Sequence, residues 1–141
     1  MSVVLDPSWK SVGRTSNTSY YLAEPDMLII IPDEGLKDNA ASARENTEFQ
    51  IALVQKTGRP LGLVVYMTSL LSQDADARRI YSSMDKSHFI GSALVVSNPL
   101  ARAIGSFFLG LTKPEFPAKL VESIQDGIIW LESLNPKGKA S

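Results

Sequence analysis

Three carboxylates lie close together in "PDEGLKDN": Asp33, Glu34 and Asp38. Paired carboxylates can pass protons as general acid and base, or hold a hard cation. Neither use has support nearby. No histidine is close in sequence, and the spacing is not that of a calcium loop. These residues are therefore expected in a solvated loop. His88 is the single histidine and the chain has no cysteine. That excludes a thiol nucleophile, a disulfide and a thiolate metal site. Nothing in the sequence ties His88 to a particular serine or aspartate. No glycine-rich phosphate loop follows a strand. The expectation is a non-enzymatic protein with no catalytic residues, no cofactor and no metal.

The elements that would position such residues follow from periodicity. "SYYLAEPDMLIIIP" predicts a hairpin, with strands at Tyr20–Leu22 and Met27–Ile31 and a turn in which Pro25 fixes φ. The unbroken run Leu28 to Ile31 suits a strand covered on both faces. A helix follows between Asp38 and Lys56, with Phe49, Ala52, Leu53 and Lys56 as its inward face and Gly58 as its stop. "LGLVVYM" from Leu61 is the next strand. The helix after it has Asp74 as N-cap and Ala77, Ile80, Tyr81 and Met84 at helical spacing. "FIGSALVVS" is a third buried strand. Gly62 and Gly91, inside strands, mark close packing.

Asn98 then caps a helix with Pro99 at its first position. Leu100, Ala103, Ile104, Phe107, Phe108 and Leu111 form an apolar stripe that is expected to pack on the sheet, with Gly105 beside it for close approach. A homodimer contact is the alternative use of that stripe. Neighbouring helical residues sit about 100° apart, so Phe107 and Phe108 cannot both point straight inward. "PAKLVE" predicts a short edge strand. Ser123 with Asp126 opens the last helix, whose buried face is Ile124, Ile128 and Leu131 and whose end is Asn135-Pro136.

The order is ββαβαβαβα, a single α/β domain with a mixed, mostly parallel sheet, an N-terminal β-hairpin and about four helices. It spans 19–134, after an N-terminal extension 1–18 and before a flexible tail 135–141. Its 141 residues and 44% hydrophobic content suffice for one core. The net charge of −1, mixed along the chain, excludes a nucleic-acid footprint. No stretch nears the roughly 18 apolar residues of a membrane span, and the first residues lack a signal peptide's pattern. A cytoplasmic protein is expected.

In sheets of this kind, ligands favour the carboxyl ends of strands. Those ends offer Asp33, Thr68, Ser69, Ser97 and Asn98, with Asp74, Arg78 and Arg102 on adjoining helices. These are hydrogen-bonding groups without a nucleophile–base pair, which suits recognition better than catalysis.

"ALVVSNPLARAIGSFFLGLTKPEFPAKLVESIQDGIIWL" (93–131) resembles small bacterial SpoIIAA-like proteins, which are STAS-like domains also compared with the CRAL-TRIO lipid-binding fold. The carrying features are Ser97-Asn98-Pro99, the run Phe107 to Leu111, Pro114, Phe116-Pro117 and Trp130-Leu131. Better-known STAS domains bind a protein partner and switch on phosphorylation of a serine within Asp-Ser-Ser-Gly at a helix start. The matching place here reads Asp74-Ala75-Asp76-Ala77 and has neither serine, leaving Ser69 and Ser72 as nearby substitutes. Asp76 suits the positive end of the helix. The resemblance implies a non-enzymatic regulatory or adaptor domain that binds a protein through Thr68, Ser69, Ser72, Asp74, Asp76 and Arg78, without the serine switch. The alternative is a small apolar-ligand or lipid-binding module, with a groove by Asn98, Arg102, Phe107 and Phe108.

Overall fold

The computed structural model describes residues 3, 5–24, 26–111 and 114–134. The turn residue Pro25, the stop at Asn135-Pro136 and the tail lie outside the described residues. The strands are β1 (Lys10–Arg14), β2 (Thr18–Ala23), β3 (Met27–Pro32), β4 (Leu36–Asp38), β5 (Leu61–Tyr66), β6 (Leu70–Gln73), β7 (Phe89–Val95) and β8 (Ala118–Val121). The helices are α1 (Ala40–Thr57), α2 (Ala75–Ser82), α3 (Pro99–Leu111) and α4 (Ile124–Leu134).

Six strands form the main sheet in the order β1-β2-β3-β5-β7-β8. The first two pairings are antiparallel and the other three parallel. The mixed, mostly parallel sheet and the hairpin are as the sequence implies. β1 is an addition to that picture, since residues 10–14 were expected in an extension and instead pair with β2. Its charged, glycine-containing "KSVGR" carries little strand signal, and its register shifts near Gly13, which has φ 126°. β4 and β6 are also additions. They pair in parallel as a separate two-stranded ribbon.

From β3 to β8 each parallel strand is added on the same side of its predecessor. Crossovers of one hand that always step the same way leave their helices on one face. Tyr20, Leu28 and Leu63 face Val54 of α1, and Leu94 and Val96 face Ala101 and Phe108 of α3. The opposite face, with Ile29, Val64, Ala93 and Val95, is covered by Ile128 and Leu131 of α4. Alternation along β3, β5 and β7 thus supplies two cores from one sheet, as expected of the run Leu28 to Ile31.

Close packing explains the strand glycines. A Cβ on Gly62 would sit 2.9 Å from the Met27 Sδ and 3.2 Å from Leu131. The caps stand as the sequence implies. The Asp74 carboxylate accepts from the Ala77 N–H at 2.9 Å, the Asn98 side chain from Ala101 at 2.7 Å, and the Ser123 hydroxyl from Asp126 at 3.1 Å. Gly58 ends α1 at φ 71°.

Two helix faces differ from expectation. On α1 the inward residues are Ser42, Ala43, Asn46, Thr47, Gln50 and Val54, while Ala52 and Lys56 are exposed and Phe49 and Leu53 are partly buried. On α3 the buried positions are Ala101, Gly105 and Phe108, with Ile104 partly buried. Small residues at 101 and 105 let the backbone come close, and a Cβ on Gly105 would meet Leu120 at 2.8 Å. Leu100, Ala103, Phe107 and Leu111 of the expected core stripe therefore face outward.

Candidate functional site

The polar inward face of α1 does not close on the sheet. Between them lies a cavity of about 70 Å³. On this measure one water takes roughly 10–15 Å³, so there is room for several waters or a small ligand. One wall is apolar: Ile30, Leu63, Val65 and Leu94 from the sheet, with Phe108 of α3 and Phe116. The other wall is polar: Asp38 at the end of β4, Asn46 and Gln50 of α1, Gln73 at the end of β6 and Tyr81 of α2.

Asp38 is the centre of that wall and only 4% exposed. The expectation of a solvated carboxylate loop holds for Asp33 and Glu34, which are exposed, but fails for Asp38. Its place follows from chain geometry. β4 runs inward beside β6, and the Asn39 cap that starts α1 fixes the next residue. Ser42 donates to the Asp38 Oδ1 at 2.5 Å, Tyr81 to the same oxygen at 3.2 Å, and the Gln73 Nε2 to Oδ2 at 3.2 Å. Burial pushes the Asp38 carboxyl above the usual aspartate range, and these three donors oppose that rise.

A second knot joins α1 to β2. The Asn46 Oδ1 accepts from the Tyr20 hydroxyl and from Thr15, both at 2.9 Å. Gln50 donates to the Tyr20 hydroxyl at 3.1 Å. Burial raises the pKa of Tyr20 and of Tyr81, so both stay protonated and keep donating. One polar atom of the wall is left over. The Gln73 Oε1 is buried and has no hydrogen-bond partner among the described residues. Such an orphan costs about 1–3 kcal/mol unless something occupies it.

The residues singled out from sequence fall into separate places. Thr68, Ser97 and Asn98 do cluster: the Thr68 and Ser97 hydroxyls are 2.8 Å apart, and Asn98 donates to the Thr68 carbonyl. Ser69 is buried, whereas Ser72, Asp74 and Asp76 are exposed. Of the two substitute serines, only Ser72 meets solvent. Asp76 pairs with Arg79, Arg102 with Glu122, and Asp33 with Arg14. The Arg78 guanidinium stacks over the Phe107 ring at 4.7 Å. Phe107 stands outside the molecule and Phe108 inside, so the apolar space lies beneath α3 and not in an outer groove beside it. His88 does not line the cavity. Its Nδ1 lies 3.9 Å from the nearest Asp85 oxygen. Among the described residues no cluster of metal-binding side chains occurs, and no helix is long and apolar enough to cross a membrane.

Asn46, Gln50 and Gln73 were not foreseen as site residues. The available signal was a helix whose polar residues 42, 46, 50 recur every four positions, a period that matches an inward face as well as an outward one.

Comparison with solved structures finds a similar fold. The crystal structure of an uncharacterized DUF3478-family protein with a SpoIIAA-like fold, from Shewanella loihica PV-4, matches with a TM-score of 0.50 at 16% identity. The match covers 93% of this chain and 98% of that one. No curated protein matches the chain. The fold is thus SpoIIAA-like, and since residues 21–135 match the family described as a domain of unknown function, DUF7793, the chain belongs to that family.

Proposed function

We propose that this protein is a non-enzymatic binding domain that takes a small, largely apolar ligand into the cavity between the sheet and α1, α2 and α3. The observation that carries this reading is the pairing of walls: aliphatic and aromatic side chains on one side, a hydrogen-bonded carboxylate with an unfilled acceptor on the other. Binding pockets commonly combine an apolar lining with a few fixed polar groups. Among the described residues the wall holds no nucleophile–base pair, which favours recognition over turnover. Native mass spectrometry of freshly purified protein tests it. A small molecule carried by the parent and lost in Val65→Phe, which fills the space, supports the reading. An unliganded protein that also takes up no short-chain alcohols or ethers at millimolar concentration defeats it.

A protein-partner reading keeps one observation of its own. Leu71, Leu100, Phe107 and Leu111 are each about half exposed, and Phe107 lies under the guanidinium of Arg78, in the region expected to bind a partner. A regulatory or adaptor role would use that outer surface and leave the cavity free. Capture from a lysate with the parent as bait, abolished by Phe107→Ser on an intact fold, would favour it.

A further inference from the structure

We infer that the cavity's polar wall is a headgroup site for a ligand whose apolar body ends in a hydrogen-bond donor, a hydroxyl or an amine, received by the Gln73 carbonyl and the open side of the Asp38 carboxylate. This rests on the cavity being a ligand site and assigns the chemistry of what fills it.

A count of donors and acceptors gives the polarity of that wall. The hydroxyl protons of Ser42 and Tyr81 are both directed to the Asp38 Oδ1. One N–H of Gln73 is directed to Oδ2. The Asn46 amide donates to the Asn17 Oδ1 at 2.8 Å and to the Tyr81 hydroxyl at 3.5 Å, and its own oxygen takes two donors. Gln73 and Gln50 each keep a second N–H, but the one buried polar atom of this pole with no partner at all among the described residues is an acceptor. A carboxylate oxygen can take about two hydrogen bonds, and Oδ2 has one. The Gln73 Oε1 has none. An ether or ketone brings only more acceptors and would leave the orphan as it is. A carboxylate or phosphate would meet Asp38 with no Lys, Arg or His among the described residues of the cavity wall to balance it. A hydroxyl or amine fills the vacancy and keeps its chain against Ile30, Leu63 and Leu94.

The amide orientation of Gln73 supports the assignment. The Gln73 nitrogen donates to the Asp38 Oδ2, and that contact leaves the carbonyl as the end of the amide without a partner.

Hexanol and dipropyl ether are isomers, equal in atoms and nearly equal in apolar content, and only hexanol donates. The test is titration of the isotope-labelled full chain with each, followed by amide shifts of residues around the cavity. Hexanol should bind about tenfold more tightly than the ether, the value of one good hydrogen bond to a buried acceptor. In Gln73→Leu the preference should shrink to within about twofold while the ether's own affinity stays similar. A residue that only supported the wall would weaken both isomers alike. If the parent binds both equally, or if hexanoate outcompetes hexanol, the headgroup assignment fails while the cavity remains a ligand site. If neither isomer moves the cavity resonances, the space holds water and the underlying reading fails with it. The parent's preference needs no variant, so a Gln73→Leu protein that does not fold leaves the test intact.

Discussion

Asp38 is a buried acid with three donors, and its protonation is linked to folding. Burial raises its pKa first, with the hydrogen bonds from Ser42, Gln73 and Tyr81 as the opposing effect. A carboxyl with a higher pKa folded than unfolded binds its proton more tightly in the folded state. Its contribution to stability is complete below the ordinary value of 3.8 and is lost as pH rises through the folded value. Asp38→Asn removes that loss. It also lets the Gln73 amide turn over, so that its oxygen accepts from the new amide and the orphan gains a partner. The variant should match or exceed the parent at neutral pH, by about 1 kcal/mol, and the advantage should shrink as pH falls towards 4. Urea titrations of both proteins across that range read it directly, and a parent that gains on the variant as pH rises would remove the buried-acid account. Seen from sequence, Asp38 was one of three loop carboxylates. Its distinction depends on pairing between β4 and β6, which are 34 residues apart between Leu36 and Leu70 and leave no local mark.

On α3, two adjacent phenylalanines make a controlled comparison. Phe108 is 7% exposed and Phe107 is 53% exposed. Phe108→Ala should cost about 3–5 kcal/mol, and Phe107→Ala under about 1 kcal/mol, with the Arg78 stacking as its main loss. Equal losses in urea titration would mean that α3 is rotated from the described packing. The position of this helix was legible, because Asn98 and Pro99 mark its start. Its rotation was not. Two apolar lanes run along it, and the lane with larger residues, Leu100, Phe107 and Leu111, looks more core-like than Ala101, Gly105 and Phe108. Close approach to Val96 and Leu120 favours the smaller lane, and only the neighbouring strands reveal that. α1 shows the converse. Its start and its Gly58 stop could be read, but an inward face of Ser42, Asn46 and Gln50 imitates a solvent face. Its partners, Tyr20 and Asp38, are supplied by other elements.

Across the whole molecule, one sheet separates two kinds of interior. The α4 side is apolar and close-packed, with Gly62, Gly91 and Gly127 drawing Leu131 and Ala93 into contact. The α1–α3 side has the cavity and the hydrogen-bonded wall. Strand order was readable because alternating strands and helices leave few topologies. The cavity was not, since it is a mismatch between surfaces that no single segment encodes. This division makes a spatial prediction for ligand entry. A ligand that binds only the folded state suppresses openings of the elements that must part to release it. Saturation with hexanol should therefore slow amide exchange in α1, α2 and the last turn of α3 around Phe108, by about tenfold at ten times the dissociation constant if those elements open together. Amides of α4, which faces the other core, should keep their rates wherever their exchange proceeds by local opening. Hydrogen exchange with and without hexanol measures both halves at once. Slowing confined to α4, or to the outer lane of Leu100 and Phe107 with α1 unchanged, would place the ligand elsewhere on the molecule.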